Sequence, residues 1–217
     1  MRRKSLFLLP LLALGMMAAL PSCEAQASER VATARAKVQP ELGAFFGDPV
    51  FIRIVKESWI LELWVQHKGV WQVLKTYPIA AMSGTLGPKE KEGDEQAPEG
   101  FYDVVPGRMN PNSRYHLAFN IGYPNAYDRS LGRTGSFIMV HGSDVSIGCF
   151  AMTDPGIDEI YTMVNEAFIK GQQRVEVHIY PFEMTDARME MEKDSPHIAF
   201  WRTLQPRWKQ THGQHRP

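Results

Sequence analysis

Residues 50–180 set the fold class: they string short runs of β-branched and aromatic residues between turn-forming segments and hold one strong helical pattern. Residues 50–55 and 59–65 are two such runs; His67, Lys68 and Gly69 make a turn, and residues 70–76 follow, which predicts an antiparallel meander. Residues 101–105, 115–119, 136–140 and 175–180 read as further strands, with His141 at the end of one of them. The helical exception begins at Asp154, a capping residue type, with Pro155 suited to the first helical position and Asp158 and Glu159 to the positive end. Ile157, Ile160, Tyr161, Val164 and Phe168 recur on one face, and Gly171 is the stop. The expectation is a mainly β domain over residues 50–181 with one helix.

Two long segments between these runs carry no apolar period. Residues 83–100, SGTLGPKEKEGDEQAPEG, combine glycine, proline and charge and predict a long surface loop of the kind that often serves function. Residues 122–133, GYPNAYDRSLGR, form a second loop. In it Tyr123, Asn125, Tyr127 and Arg129 are candidates for binding a peptide, whose carboxylates suit arginine's planar fork; the alternative is a loop packed on itself. Residues 182–217 are a C-terminal extension: an acidic, methionine-bearing helix, then from Gln205 a tail rich in Arg, Lys, Gln and His that reads as surface packing or disorder.

Arg2, Arg3 and Lys4 precede an apolar run from Leu6 to Leu20, and Ala25-Gln26-Ala27 supplies a small-x-small cleavage pattern, so residues 1–27 read as a secretory signal. The run is shorter than the ~20 residues of a membrane-spanning helix. Leu20-Pro21-Ser22-Cys23 loosely matches a lipoprotein cleavage box. Cleavage before Cys23 would leave a lipid anchor, and cleavage after Ala27, the favoured reading, a soluble protein of the periplasm or cell envelope. Residues 28–49 are polar and alanine-rich at their start and read as a linker or frayed helix. The 24 basic and 24 acidic residues cancel, which argues against a nucleic-acid partner.

Loss of the leader leaves Cys149 as the sole cysteine, so no internal disulfide can form. A lone thiol in an oxidising compartment risks oxidation, and an inert buried role competes with a reactive one. A thiol attacks carbonyls as thiolate and needs a base or positive charge nearby. His141 lies eight positions before Cys149, and Gly142 and Gly148 between them let the chain turn back. Gly148 also allows backbone to approach a substrate, and the Cys149 N–H can help hold an oxyanion. A structural histidine beside an unrelated thiol is the bland alternative. His, Asp and Cys are also metal ligands, but no CxxC or HxxxH spacing completes a site, and neither metal nor cofactor is expected. Papain-like hydrolases place Cys before His, the reverse of the order here.

The stretch HGSDVSIGCFAMTD, residues 141–154, resembles the catalytic signature of the L,D-transpeptidase catalytic domain (YkuD-like) family, closest to its YafK-like branch. SGTLGPKEKEGD, APEGFYDV, FNIGYPNAYDR and GRTGSFIMVHG extend the resemblance over residues 50–181. It implies a β-sandwich or open barrel whose groove takes peptidoglycan stem peptides. In that reading Cys149 is the nucleophile, His141 the base and the Gly142 carbonyl the group that orients the imidazole. Ser146 and Gly148 match positions that shape the site. Two departures bear on oxyanion contacts and acceptor: Ile147 stands where the family has histidine, and the segment from HG to Cys is shorter. Members with the shorter pattern include an amidase that detaches a lipoprotein from peptidoglycan, which makes such a lipoprotein a candidate partner. A non-catalytic peptidoglycan-binding module is the reading from another class.

Overall fold

A computed structural model describes residues 22–213. The leader's cationic start and apolar run lie outside the described residues, and among these no helix is long and apolar enough to cross a membrane. Strands β1 (Val50–Val55), β2 (Ile60–His67) and β3 (Val70–Pro78) form the expected antiparallel meander. Strand β4 (Gly100–Val104) sits at the far edge of the same sheet, joined through β9 (Val175–Tyr180), which runs parallel to β1 and antiparallel to β4. The sheet order is β3-β2-β1-β9-β4. The second sheet comprises β5 (Met109–Asn110), β6 (Ala118–Asn120), β7 (Met139–His141) and β8 (Phe150–Ala151), the last two parallel.

Alternation along the strands decides which face each residue serves. Val50, Ile52 and Ile54 of β1, with Val175, Val177 and Ile179 of β9, face a core shared with Phe119 and Val140 of the second sheet. Helix α4 (Asp154–Ile169) contributes Ile157, Ile160, Tyr161 and Val164 to it, and Phe168 packs on its margin, the face anticipated from the 3.6-residue period. The other side of β1 is also covered, so all six of its residues are buried. There Val55 and Tyr180 meet Phe182, Trp201, Leu204 and Trp208, and Arg53 stacks between the Trp64 and Trp208 rings while pairing with Glu62 at 2.5 Å.

The mainly β expectation, with a helix after the cysteine and a helical C-terminal segment, is borne out; several local readings are not. The α4 cap is Thr153, at φ +61° with its hydroxyl accepting from the Gly156 N–H at 3.4 Å, and Asp154 is the first helical residue. Strand β7 begins only at Met139, because Phe137 takes a left-handed φ of +55° that ends regular pairing before it. Residues 28–49 hold most of helix α1 (Cys23–Lys37) and the short α2 (Pro40–Gly43); α1 docks on α4 through Arg35–Glu166 at 2.6 Å and Lys37–Asp158 at 3.0 Å. The loop after β6 holds a single short helix, α3 (Ala126–Ser130). In the extension, α5 (Asp186–Met191) is followed by α6 (Ile198–Gly213), which continues through Pro206 over most of the supposed tail. Burial of Trp201, Leu204 and Trp208 at helical spacing outweighs the lost proline N–H.

The loop at 83–100 is not all surface. Gly87, Pro88, Lys89, Ala97, Pro98 and Glu99 are buried, and Gly87, Ala97 and Glu99 close on the ammonium of Lys56, itself 2% exposed. Lys56 Nζ donates to the carbonyls of Gly87 (2.9 Å) and Ala97 (3.0 Å) and to Glu99 (3.0 Å). Glu99 also accepts from the Gly87 N–H and from the Trp201 indole, both at 2.7 Å. Burial pulls the Lys56 pKa down while Glu99 opposes the shift.

Candidate active site

The parallel pairing of β7 and β8 places Cys149. Val140 stands opposite Phe150 and His141 opposite Ala151, so Cys149, one residue ahead of β8, falls opposite Met139. In that register Met139, His141 and Cys149 share one face of the sheet. The Met139 N–H donates to Cys149 Sγ at 3.3 Å, and the thiol donates to the Phe137 carbonyl at 3.6 Å. The sulfur is thus held on the histidine's side of the sheet.

His141 is 3% exposed, and its Nδ1 lies 2.6 Å from the carbonyl oxygen of Gly142. A carbonyl only accepts, so Nδ1 carries the proton and Nε2 keeps a bare lone pair. Burial lowers the pKa of the ring, against the pull of the Gly142 carbonyl, which favours neutral imidazole. The Tyr115 ring packs on it at 4.9 Å between centroids. Gly142 is held in turn: its N–H points to the carbonyls of Tyr115 and Leu117, both at 3.1 Å. A Cβ at this position would meet Asp154 Oδ1 at 2.6 Å and the Tyr115 carbonyl at 2.9 Å. Gly142→Ala is therefore expected to displace the orienting carbonyl and lower kcat/KM by about 100-fold, the scale of an ångström misplacement at a catalytic group. The check is steady-state kinetics beside a count of alkylatable Cys149, which should remain one per chain.

The Cys149 thiol is pushed up by burial and pulled back by the Met139 N–H and by the positive charge of Lys89. Lys89 is itself buried and donates to the Lys91 carbonyl at 2.9 Å and to Asp94 at 2.5 Å. Despite its burial, Asp94 is held at about 2 by Lys89 and three backbone N–H groups. The two shifts favour neutral imidazole and protonated thiol, an uncharged resting pair.

Gly148 adopts φ +81°, a conformation for which glycine is suited, and donates its N–H to Ser83 Oγ at 2.7 Å. The Ser83 hydroxyl donates in turn to the Glu95 carbonyl at 2.5 Å, tying the 83–100 loop to the backbone beside Cys149. The Cys149 N–H has no hydrogen-bond partner among the described residues, which leaves it free to meet an oxyanion. Ser146 Oγ is buried without a partner. Phe137, Val145 and Ile147 are 73, 56 and 72% exposed and form an apolar rim in the sequence flanking the sulfur.

The loop candidates fare differently. Tyr123 is buried and its hydroxyl donates to the carbonyls of Lys89 and Thr134; Asn125 caps α3 and donates to the Phe101 carbonyl. Tyr127 stacks on Phe200 at 5.7 Å, and Arg129 is exposed and donates to the Pro124 carbonyl. So His141, Gly142, Gly148 and Cys149 are brought together with Ser83, Tyr115 and Lys89, whose roles sequence reasoning missed. Ser83 and Lys89 stand in the SGTLGPKEKEGD segment that carries the resemblance; Tyr115 leaves no signal beyond its place in a β-type run.

Residues 52–179 match the family model YkuD, described as the L,D-transpeptidase catalytic domain. The L,D-transpeptidase-like protein YafK of Escherichia coli (strain K12) is 51% identical over 160 residues, 74% of this chain, and its counterpart in strain O157:H7 matches equally. The chain spans 65% of the length of these relatives. Among solved structures, the helical cell shape determining protein Pgp2 of Campylobacter jejuni, in a mutant form, superposes with a TM-score of 0.51 at 26% identity, over 64% of this chain and 49% of that one.

Proposed function

Because the chain belongs to the L,D-transpeptidase catalytic domain family, we propose that it is an exported cysteine acyl-transfer enzyme acting on peptidoglycan stem peptides, with Cys149 as nucleophile and His141 as base. The observation that carries this is the His141 Nδ1 to Gly142 carbonyl contact at 2.6 Å, which leaves Nε2 as acceptor on the face that bears Cys149. Export rests on Arg2, Arg3, Lys4 and the apolar run that follows them.

In the proposed reaction Nε2 takes the thiol proton as Cys149 Sγ adds to the carbonyl of a diaminoacyl residue. The oxyanion is met by the Cys149 N–H. Collapse breaks the C–N bond, and the imidazolium gives its proton to the departing amine, of a D-amino acid or a lysine side chain. The thioester then reacts with water, which makes the enzyme an amidase or carboxypeptidase, or with an amine, which makes it a transpeptidase. The apolar rim of Phe137, Val145 and Ile147 favours a desolvated approach of the scissile amide. Tyr127 and Arg129 retain exposed surface for the peptide, and a peptidoglycan-linked lipoprotein is the partner whose lysine amide would be hydrolysed.

The test is mass spectrometry of purified muropeptides, with and without a lysine adduct, after incubation with the wild type and with Cys149→Ala. Cys149-dependent loss of the adduct identifies the amidase, and new cross-links or exchanged D-amino acids identify the transpeptidase. No change in either replaces the enzyme with the binding module.

The pH profile follows from the two shifts. A base whose pKa is lowered is deprotonated earlier as pH rises, so the acid limb of kcat/KM is expected below the ordinary histidine value of 6.5. In His141→Ala, alkylation of Cys149 by iodoacetamide should rise with a midpoint above the ordinary thiol pKa of about 8.5. An acid limb above 6.5 in the wild type would contradict the neutral pair.

A further inference from the structure

On the far side of the five-stranded sheet from the shared core, between β1, β2, β9 and α6, lies a cavity of about 310 Å³ that the chemistry above does not use. Its walls include Phe51, Trp64 and Trp71, and its polar lining includes Arg174, Glu176, His178 and Arg207. The aromatic rings are locked together: Phe51 stacks on Trp64 at 5.1 Å and meets Trp71 edge-on at 5.0 Å, with Trp71 half-buried. His178 is 3% exposed; its Nε2 lies 2.8 Å from Glu176, and its Nδ1 is buried with no hydrogen-bond partner. Glu176 is held at about 2, first by His178 and then, against its burial, by Arg207 at 2.7 Å. An ionised carboxylate only accepts, so a histidine proton sits on Nε2, and Nδ1 is left buried without a partner. A buried polar atom left this way calls for an explanation.

We propose that this cavity binds a saccharide unit of the glycan strand, a site separate from the peptide-cleaving centre. The reading of the substrate as peptidoglycan underlies the choice, and the lining agrees with it. A pyranose ring presents C–H faces to aromatic side chains such as Trp71 and Phe51. Its hydroxyls, which both donate and accept, supply the partner that His178 Nδ1 lacks, and its oxygens accept from the guanidinium groups of Arg174 and Arg207. The volume falls in the range of small-ligand pockets, and an aromatic wall faces a lining that is mostly polar, which suits a hydroxyl-rich ligand. Holding the glycan on one side of the sheet while a stem peptide reaches the nucleophile in the other would tether the enzyme to its polymer and raise the local concentration of peptide.

The test titrates the folded protein with the trisaccharide of N-acetylglucosamine, which carries no peptide, and follows tryptophan fluorescence and the indole N–H resonances. Saturable binding is expected, unchanged in Cys149→Ala and weakened about tenfold in Trp71→Ala. Arg174→Ala provides a second variant at a 68% exposed side chain, where loss of fold is not a concern; it too should weaken binding. Absence of saturable binding, or binding undiminished by either substitution in protein that melts like wild type, overturns the assignment. Trisaccharide binding without Cys149-dependent cleavage would refute the proposed function alone, and cleavage without binding would refute this site alone.

Discussion

Cys149→Ala is expected to abolish acyl transfer, by on the order of 10⁴-fold or more in kcat, without lowering the melting temperature. The thiol makes only two weak hydrogen bonds, to Met139 and Phe137, and the replacement removes one atom from a partly exposed position. His141→Ala should cost a comparable factor, because a protonated thiol with its pKa pushed up is a poor nucleophile. On the proposed mechanism the two residues act as one unit, so the double variant should be no worse than the poorer single one. Additive losses in the cycle would mean that His141 and Cys149 contribute independently, and the general-base assignment would fall. Single-turnover assays on a stem peptide, with intact-mass detection of the thioester, separate loss of acylation from loss of its resolution.

The largest expected effect on stability is that of Lys56→Met. The substitution leaves Glu99 as an unpaired buried charge and strips a donor from the carbonyls of Gly87 and Ala97. Breaking a buried pair in this way costs about 3–5 kcal/mol, which for a domain of this size lowers the melting temperature by roughly 10 °C. Lys56→Met with Glu99→Gln should recover part of the loss, since the orphan charge is gone and the single amide oxygen still accepts from one of the two donors, Gly87 or Trp201, that met separate carboxylate oxygens. If the double variant melts no higher than the single one, the ion pair is not what organises the 83–100 loop. Activity should fall further than stability explains, because Ser83 and Lys89 ride on that loop.

What could be read from the sequence follows from how local its cause is. The α4 face and its stop are set within the helix by spacing and glycine, and both were legible. Its cap was misread by one residue because the unusual φ of Thr153 is fixed by tertiary contacts: its N–H donates to the Ser143 carbonyl. His141 and Cys149 were legible because their types, their glycines and their spacing fall in one short segment. Ser83 reaches the site only through a contact with Gly148 that spans much of the chain, and Tyr115 only by packing over the ring. The loop at 83–100 looked solvated because charge dominates its composition, and the group that draws in its stretches at 87–89 and 97–99 is a lysine outside it, Lys56. In α6, Pro206 and the polar run after Gln205 hid a stripe of Trp201, Leu204 and Trp208.

The parallel pairing of β1 with β9 has a further meaning for biogenesis. The first strand of the main sheet, paired early with β2, finds its second neighbour only in the last, and Glu99 acquires its indole partner only from α6. Contacts of such long sequence separation form slowly and late. If the chain is exported as proposed, it crosses the membrane with the sheet open and the 83–100 loop untied, in the unfolded condition that threading requires. Cys149 gains its fixed surroundings once the C-terminal helix has followed, so on the proposed reading its reactivity develops only after the whole chain has passed.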